Sequence, residues 1–306
     1  MVSLPIQSVR LKPLSTIFCV YLLFAHAGWP SSAFAAKPNP DQPTLIVKHA
    51  SNHYKYFQYR ESYFIKLLTL ALDRSGVPYK LEPINLIPLT ENRSIHYVQS
   101  GRYSIHWLNT SERLENKLLP IRIPLFKGLI GWRLLLIRKS DVDLFKQVET
   151  AEELRKFKIL QGDDWPDTPI LEKNGFDVVT STDFSTLSKM LGRGRGDIFP
   201  RSITEVWEEL DYYTDLNVTV EENLVLHYPA AYYFFVDKSN VALRNAVEKG
   251  LNTAVNDGSF DILFTEYFGD VVNRANLHGR KIISLPNPYM SDKTPLERKE
   301  LWIRVK

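Results

Sequence analysis

The stretch Phe64-Ile-Lys-Leu-Leu-Thr-Leu-Ala-Leu-Asp-Arg-Ser-Gly76 sets Phe64, Leu67, Leu68 and Ala71 at i, i+3, i+4 and i+7 and closes on Ser75-Gly76. That spacing gathers four apolar side chains on one helix face, and the glycine supplies the C-terminal stop. The apolar run Leu45-Ile-Val47 ahead of it reads as a buried strand. A second strand is expected around Tyr79 to Ile87, a helix around Glu91 to Ser100, and a third strand at Tyr103 to Trp107. The order β-α-β-α-β predicts a parallel or mixed sheet covered by helices on both faces.

Further along, Gly131-Trp-Arg-Leu-Leu-Leu-Ile137 is a long apolar strand, after which the rhythm restarts. Thr150-Ala-Glu-Glu153 and Ser202-Ile-Thr-Glu205 both have the form of a capping box, a hydroxyl residue followed three places later by a carboxylate. Strands are expected at 157–160, 177–179 and 197–199, helices after Gly162 and at 184–191, so a second αβ lobe ends near 210. A strand pair at 224–227 and 232–236 then leads into two helices, roughly 241–255 and 261–268. If the strands at 131–137 and 232–236 both pass between lobes, the chain builds the second lobe as an insertion and returns, leaving a hinge with a cleft beneath it.

The N-terminus carries an address. Arg10 and Lys12 precede the apolar run Thr16 to Ala25, and Ala33-Phe-Ala-Ala36 has the small-x-small form of a cleavage site. The apolar core is far shorter than the roughly 20 residues a membrane-spanning helix needs. Residues 1–35 are therefore expected to be a signal peptide and 36–43 a Pro-rich leader, with export to the periplasm. Phe18 before Cys19 is too bulky for a lipid-attachment box. Cleavage would remove the single cysteine and two of the 38 basic residues but none of the 35 acidic ones. A nearly neutral chain of ordinary globular composition has no electrostatic case for nucleic acid or an anionic membrane as partner. Its length favours two lobes over one core.

Candidate functional residues fall at strand ends, the rim where ligands sit in open αβ sheets. The third strand ends at Trp107, and after it come Thr110, Ser111 and Arg113; a hydroxyl there could cap a short helix, and Arg113 offers a planar fork to a carboxylate. Its alternative is an ion pair with Glu112 or Glu115. Leu160-Gln-Gly-Asp-Asp-Trp-Pro166 is the matching turn of the second lobe, in which Asp163 or Asp164 could cap a helix and Trp165 could wall the cleft. In Asp197-Ile-Phe-Pro-Arg201-Ser202 a strand ends beside a helix start, placing Arg201 at the cleft edge; its alternative is an ion pair with Glu205. The aromatic segment after the first strand, including Tyr54, could line a small-molecule pocket. Neither His49 and His53 nor Asp163 and Asp164 have the companions that a metal site requires, so no metal or cofactor is expected.

The export signal, Gly101-Arg-Tyr-Ser-Ile, Thr110-Ser-Glu-Arg113, Leu160-Gln-Gly162 and the final helices around Asp257-Gly-Ser-Phe-Asp-Ile-Leu263 occur in an order that resembles extracellular solute-binding proteins of family 3, the amino-acid-binding type. The resemblance spans about residues 43 to 285. It implies a two-lobed type II periplasmic-binding-protein fold, each lobe a mixed sheet flanked by helices, joined by a two-strand hinge. Residues 44–135 would form the first part of lobe 1, 136–232 lobe 2, and 233–306 the return to lobe 1 with the tail. By position Arg113 resembles the arginine that clamps a ligand carboxylate, and Gly162-Asp163-Asp164 the loop that donates amides to it. The chain departs from the pattern at His106, Leu108 and Asp163, and Arg201-Ser202 stands near where an ammonium-binding carboxylate belongs, which argues against an ordinary α-amino acid.

These features imply a monomeric, non-enzymatic solute catcher. It would close on a small polar, anionic organic ligand with Arg113 and Arg201 facing each other across the cleft, and present the closed form to an ABC-type permease. The alternatives are a sensory protein feeding a sensor kinase, a cleft enzyme using Asp163, Asp164, His49 or His53, and a homologue that binds nothing. The absence of a Gly-x-Ser-x-Gly elbow and of a His-Glu-x-x-His helix weighs against the enzyme.

Overall fold

A computed structural model describes residues 43–51, 55–85, 90–212 and 216–304. The expected signal peptide and nearly all of the leader lie outside these residues, as does Tyr54. The chain begins with strand β1 (Leu45–Ser51), helix α1 (Lys55–Ser75), β2 (Tyr79–Asn85), α2 (Glu91–Gln99), β3 (Ile105–Asn109), the one-turn α3 (Glu112–Glu115) and β4 (Leu119–Ile121). It continues through β5 (Trp132–Arg138), short helices α4 (Val142–Phe145) and α5 (Ala151–Leu154), β6 (Ile159–Gly162), α6 (Asp167–Lys173), β7 (Val178–Ser181), α7 (Phe184–Gly192), β8 (Phe199–Ser202), α8 (Val206–Tyr212), β9 (Val218–Val220) and β10 (Leu224–His227). It finishes with β11 (Tyr232–Val236), α9 (Val241–Asn256), α10 (Ser259–Ala275) and β12 (Lys281–Ser284).

The first lobe is built on a mixed sheet in the order β2-β1-β3-β11-β4, in which β1 runs parallel to β2 and β3, and β11 antiparallel to β3 and β4. The second has the order β12-β10-β5-β8, with β9 also on β5. The parallel pair β6-β7 joins it through a bridge between Ile159 and Ile198. The expected stripe on α1 is the core face: Leu67, Leu68 and Ala71 are fully buried and Phe64 nearly so. Each large side chain buried there contributes on the order of 1.5–3 kcal/mol.

Two expectations need correction. The apolar strand at 131–137 was expected to cross between lobes; instead β5 pairs with β8, β9 and β10 inside the second sheet. The crossings are the segments just before β5 and β11, and they run side by side. Leu125 N–H donates to Tyr232 O at 2.9 Å and Tyr228 N–H to Gly131 O at 3.1 Å. Gly131 allows this approach, since a Cβ there would stand 2.1 Å from Tyr228 O. The return segment was also expected to stay in the first lobe, yet β12 lies parallel to β10 in the second sheet. Arg280 fixes it there, donating to Ala275 O at 2.7 Å and Leu224 O at 3.0 Å.

The capping boxes part ways. Thr150 and Glu153 exchange both bonds, at 3.2 and 3.1 Å. At Ser202 the hydroxyl accepts from Thr204 N at 3.2 Å, and the Glu205 side chain turns to the arginines instead.

Helices α1 and α9 meet at small residues, where a Cβ on Gly250 would lie 1.7 Å from Ala71 O. Gly250→Val therefore has to push the two helices apart and should cost about 1–3 kcal/mol. A urea unfolding midpoint unchanged from the parent would refute this contact.

Candidate functional site

Between the two lobes lies a cavity of about 480 Å³. Its first-lobe wall is aromatic. Phe64 from α1 stacks on Trp107 from β3 with ring centres 4.8 Å apart, and on Tyr232 from β11 at 6.1 Å, while Phe126 meets Tyr232 edge-on at 5.5 Å. These four line the cavity together with Trp165 and Phe184 of the second lobe.

The floor is ionic. Arg133 sits near the start of β5, followed by four apolar residues, with 2% of its side chain exposed. Its guanidinium pairs with Asp167 at the start of α6, and the Tyr228 hydroxyl donates to that same carboxylate. Arg201, at the end of β8, makes a two-point contact with Glu209, 2.6 Å from Nε and 2.5 Å from Nη2, and its Nη2 also lies 3.0 Å from Glu205. The Arg201 guanidinium packs 4.5 Å over the Trp165 ring. From the first lobe, Arg60 on α1 crosses the cavity to Glu205. Glu205 thus meets three guanidiniums, the third being Arg133 at 3.8 Å. Burial alone would raise its pKa, but Arg201, Arg60 and Arg133 outweigh that and hold it down to about 2.

Four buried side-chain atoms of the lining residues have no hydrogen-bond partner among the described residues: Nδ1 of His106, Oδ1 of Asn109, Nε of Arg133, and Oε2 of Glu205, which makes ion-pair contacts only. Burial drives the His106 pKa down to about 4, so the ring is neutral.

Of the residues singled out in the sequence, Arg201, Asp164, Trp165 and Trp107 line the cavity. The structure does not bring Arg113 to it. Arg113 is half exposed on α3, paired with Glu91 and 3.3 Å from Asn92 Oδ1, because its one-turn helix points it back at α2. Arg60 is the first-lobe guanidinium that reaches across instead. Thr110 donates to Glu115 at 2.8 Å, and Ser111 caps α3 by accepting from Leu114 N at 3.2 Å. Asp163 accepts from Thr180 at 3.3 Å, and Ser202 is fully buried against Thr204 and Leu129 O. None of these four lines the cavity. Sequence reasoning missed Arg60, Arg133, Asp167 and Tyr232, and read Glu205 only as a cap or ion-pair partner. A visible signal existed for Arg133, since a charge inside a strand of buried residues requires compensation.

Replacing Glu205 with Gln leaves two buried guanidiniums, Arg133 and Arg201, and the partly exposed one of Arg60 short of one carboxylate. The loss should be about 3–5 kcal/mol at neutral pH. Because folding lowers the Glu205 pKa, this contribution is complete above the ordinary value of 4.5 and drains away as pH falls toward about 2. Denaturant titrations of parent and variant should therefore differ most at neutral pH and converge in acid; a constant difference would contradict the assignment.

The chain matches no family model and no curated protein. Solved structures do match. The probable amino-acid ABC transporter extracellular-binding protein ytmK of Bacillus subtilis superposes with a TM-score of 0.56 at 14% identity, covering 74% of this chain and 99% of that one. A histidine kinase sensor domain with similarity to periplasmic binding proteins gives 0.53 at 13% identity, over 74% and 97%. An ancestral arginine-binding protein bound to arginine gives 0.53 at 16% identity, over 73% and 98%. At such identities the likeness is one of fold, and the fold is the two-lobed one of the type II periplasmic binding proteins.

Proposed function

We propose that this chain is a periplasmic solute-binding protein of the family 3 type, exported by its N-terminal signal. Its lobes capture a small polar organic solute in the cleft, and the closed form is presented to an ABC-type permease. The observation that carries this reading is the cavity itself. It is walled by aromatic rings from both lobes and lined by a few polar residues, among them His106, Asn109, Asp164 and Glu205. Rings give area and shape, and a few convergent polar groups give orientation, as small-molecule sites require. The fold of an ABC extracellular-binding protein supports the transport role.

A sensory role is the second reading, supported by the likeness to a histidine kinase sensor domain. In both, a solute shifts the lobes toward one arrangement, and only the recipient of that arrangement differs. Arg113 and Arg201 made an anion attractive from sequence. Arg113 lies off the cavity wall and Arg201 is held by Glu209 and Glu205, so neither supports that finer reading.

A thermal-shift screen of amines, sugars, amino acids, carboxylates and small peptides against the purified protein should find a stabilising solute, since a ligand bound to the folded state raises stability by mass action. Trp107→Ala should then weaken that solute at least about tenfold, or ~1.4 kcal/mol, by removing the stacked wall. Calorimetry giving equal affinity in parent and variant would move the site elsewhere.

A further inference from the structure

Three guanidiniums converge on one side of the cavity from three elements: Arg60 from α1 of the first lobe, Arg133 from β5 and Arg201 from β8 of the second. Such a set is what a carboxylate or phosphate needs. Here it is already filled from within. The Glu205 carboxylate takes Arg60 on Oε1, and Oε2 stands 3.0 Å from Arg201 and 3.8 Å from Arg133. Its side chain is 9% exposed and lines the cavity. Glu209 and Asp167 complete the pairing of Arg201 and Arg133 from behind.

The charge of the wall changes accordingly. Its three arginines face five carboxylates: Glu61, Glu91, Asp164, Asp167 and Glu205. Glu91 comes from the first lobe and Asp164 from the second. Glu91 is paired with Arg113 from outside the wall, and an acidic solute entering this cavity finds its three guanidiniums taken. A positively charged solute meets carboxylates and the faces of Trp107 and Tyr232, to which cations are attracted.

We propose that Glu205 is the specificity-determining residue of the cleft. It occupies the subsite where three arginines would otherwise bind a solute's acidic group, so the cleft takes organic cations with an apolar body and refuses carboxylates. The inference rests on the solute-capture reading for its site but not for its test.

Glu205→Ala vacates the subsite and leaves the arginines in place. Propionate, which restores the missing carboxylate on a short stem, is the probe. By calorimetry and thermal melting of the full chain, E205A should bind propionate at least tenfold more tightly than the parent. E205Q should show no such gain, because its amide still fills the space. No gain in E205A, an equal gain in E205Q, or parent binding as tight as E205A would each overturn the proposal. If E205A does not fold alone, propionate should restore its folding, and Glu205→Ser repeats the measurement with a hydroxyl partner for the arginines. Failure of both to fold with propionate present overturns it too. The parent, screened beside propionate with n-butylammonium, should favour the cation, and preference for the carboxylate is a further refutation. A parent that binds no solute while E205A gains propionate removes the capture reading and the cation preference, and keeps only Glu205 as the group that fills the arginine subsite. A parent that binds a solute, with no gain in E205A, does the reverse.

Discussion

A guanidinium in a buried strand is the constraint from which the cleft is built. Arg133 has Leu134, Leu135 and Leu136 after it, all at the core, and retains 2% exposure. Taking such a charge from water costs several kcal/mol unless it is paired and hydrogen-bonded. The compensation comes from three different places: Asp167 at the start of α6, Glu205 in the turn after β8, and Tyr228 on the segment crossing back to the first lobe. Meeting one charge thus fixes where α6 begins, how the β8–α8 turn is folded and where the return crossing lies. The same demand explains why Glu205 abandons the cap that its spacing from Ser202 suggests. Capping an N-terminus is worth about 1 kcal/mol, less than leaving a buried guanidinium unpaired costs.

The crossings are held at their far side by the tail. The outgoing segment makes a left-handed turn at Lys127 and Gly128, with φ of 49° and 78°. Lys127 is unusual there, because a side chain in this region costs energy that only surroundings can repay. Its ammonium pairs with Asp261 of α10 and donates to Glu300 O at 2.9 Å, and its carbonyl accepts from Ile303 N at 2.8 Å. Trp302 lies over Gly128, where a Cβ would be 2.5 Å from its ring. The tail thus straps the crossing to α10.

The layers of this fold were legible in the sequence because they rest on local periodicity. The stripe Phe64, Leu67, Leu68, Ala71 and the restart of β/α alternation after Ile137 required no tertiary knowledge. The topology at the crossings was less legible. An apolar strand such as 132–138 looks the same whether it bridges two sheets or lies inside one, since burial on both faces is common to both. The site was legible only in part. Trp165, Asp164 and Arg201 stand at strand ends or in the turns after them, where position alone points to a rim, while Trp107 falls in the middle of β3. Arg60 lies on a helix facing the other lobe, and its partner Glu205 is 145 residues away in sequence; no local pattern encodes such a meeting. Arg113 misled because a motif preserves spacing but not the direction of a one-turn helix.

Stability alone does not account for an ionic cluster at this place. Buried pairs replaced by apolar residues of similar volume often leave a protein as stable or more so. A floor of leucines would have served the core. What the ionic floor adds is a contact that depends on the lobes being together, since Arg60 belongs to the first and Glu205 to the second. Arg60 is 18% exposed, so the pair lies between the about 0–1 kcal/mol of an exposed bridge and the about 3–5 kcal/mol lost on breaking a buried one. A two-state equilibrium biased by a few kcal/mol keeps its minor form at roughly 0.1–10%, the range in which differential binding of one solute reverses the populations. The Arg60–Glu205 pair is therefore a contact of intermediate strength that exists only while residues of both lobes meet.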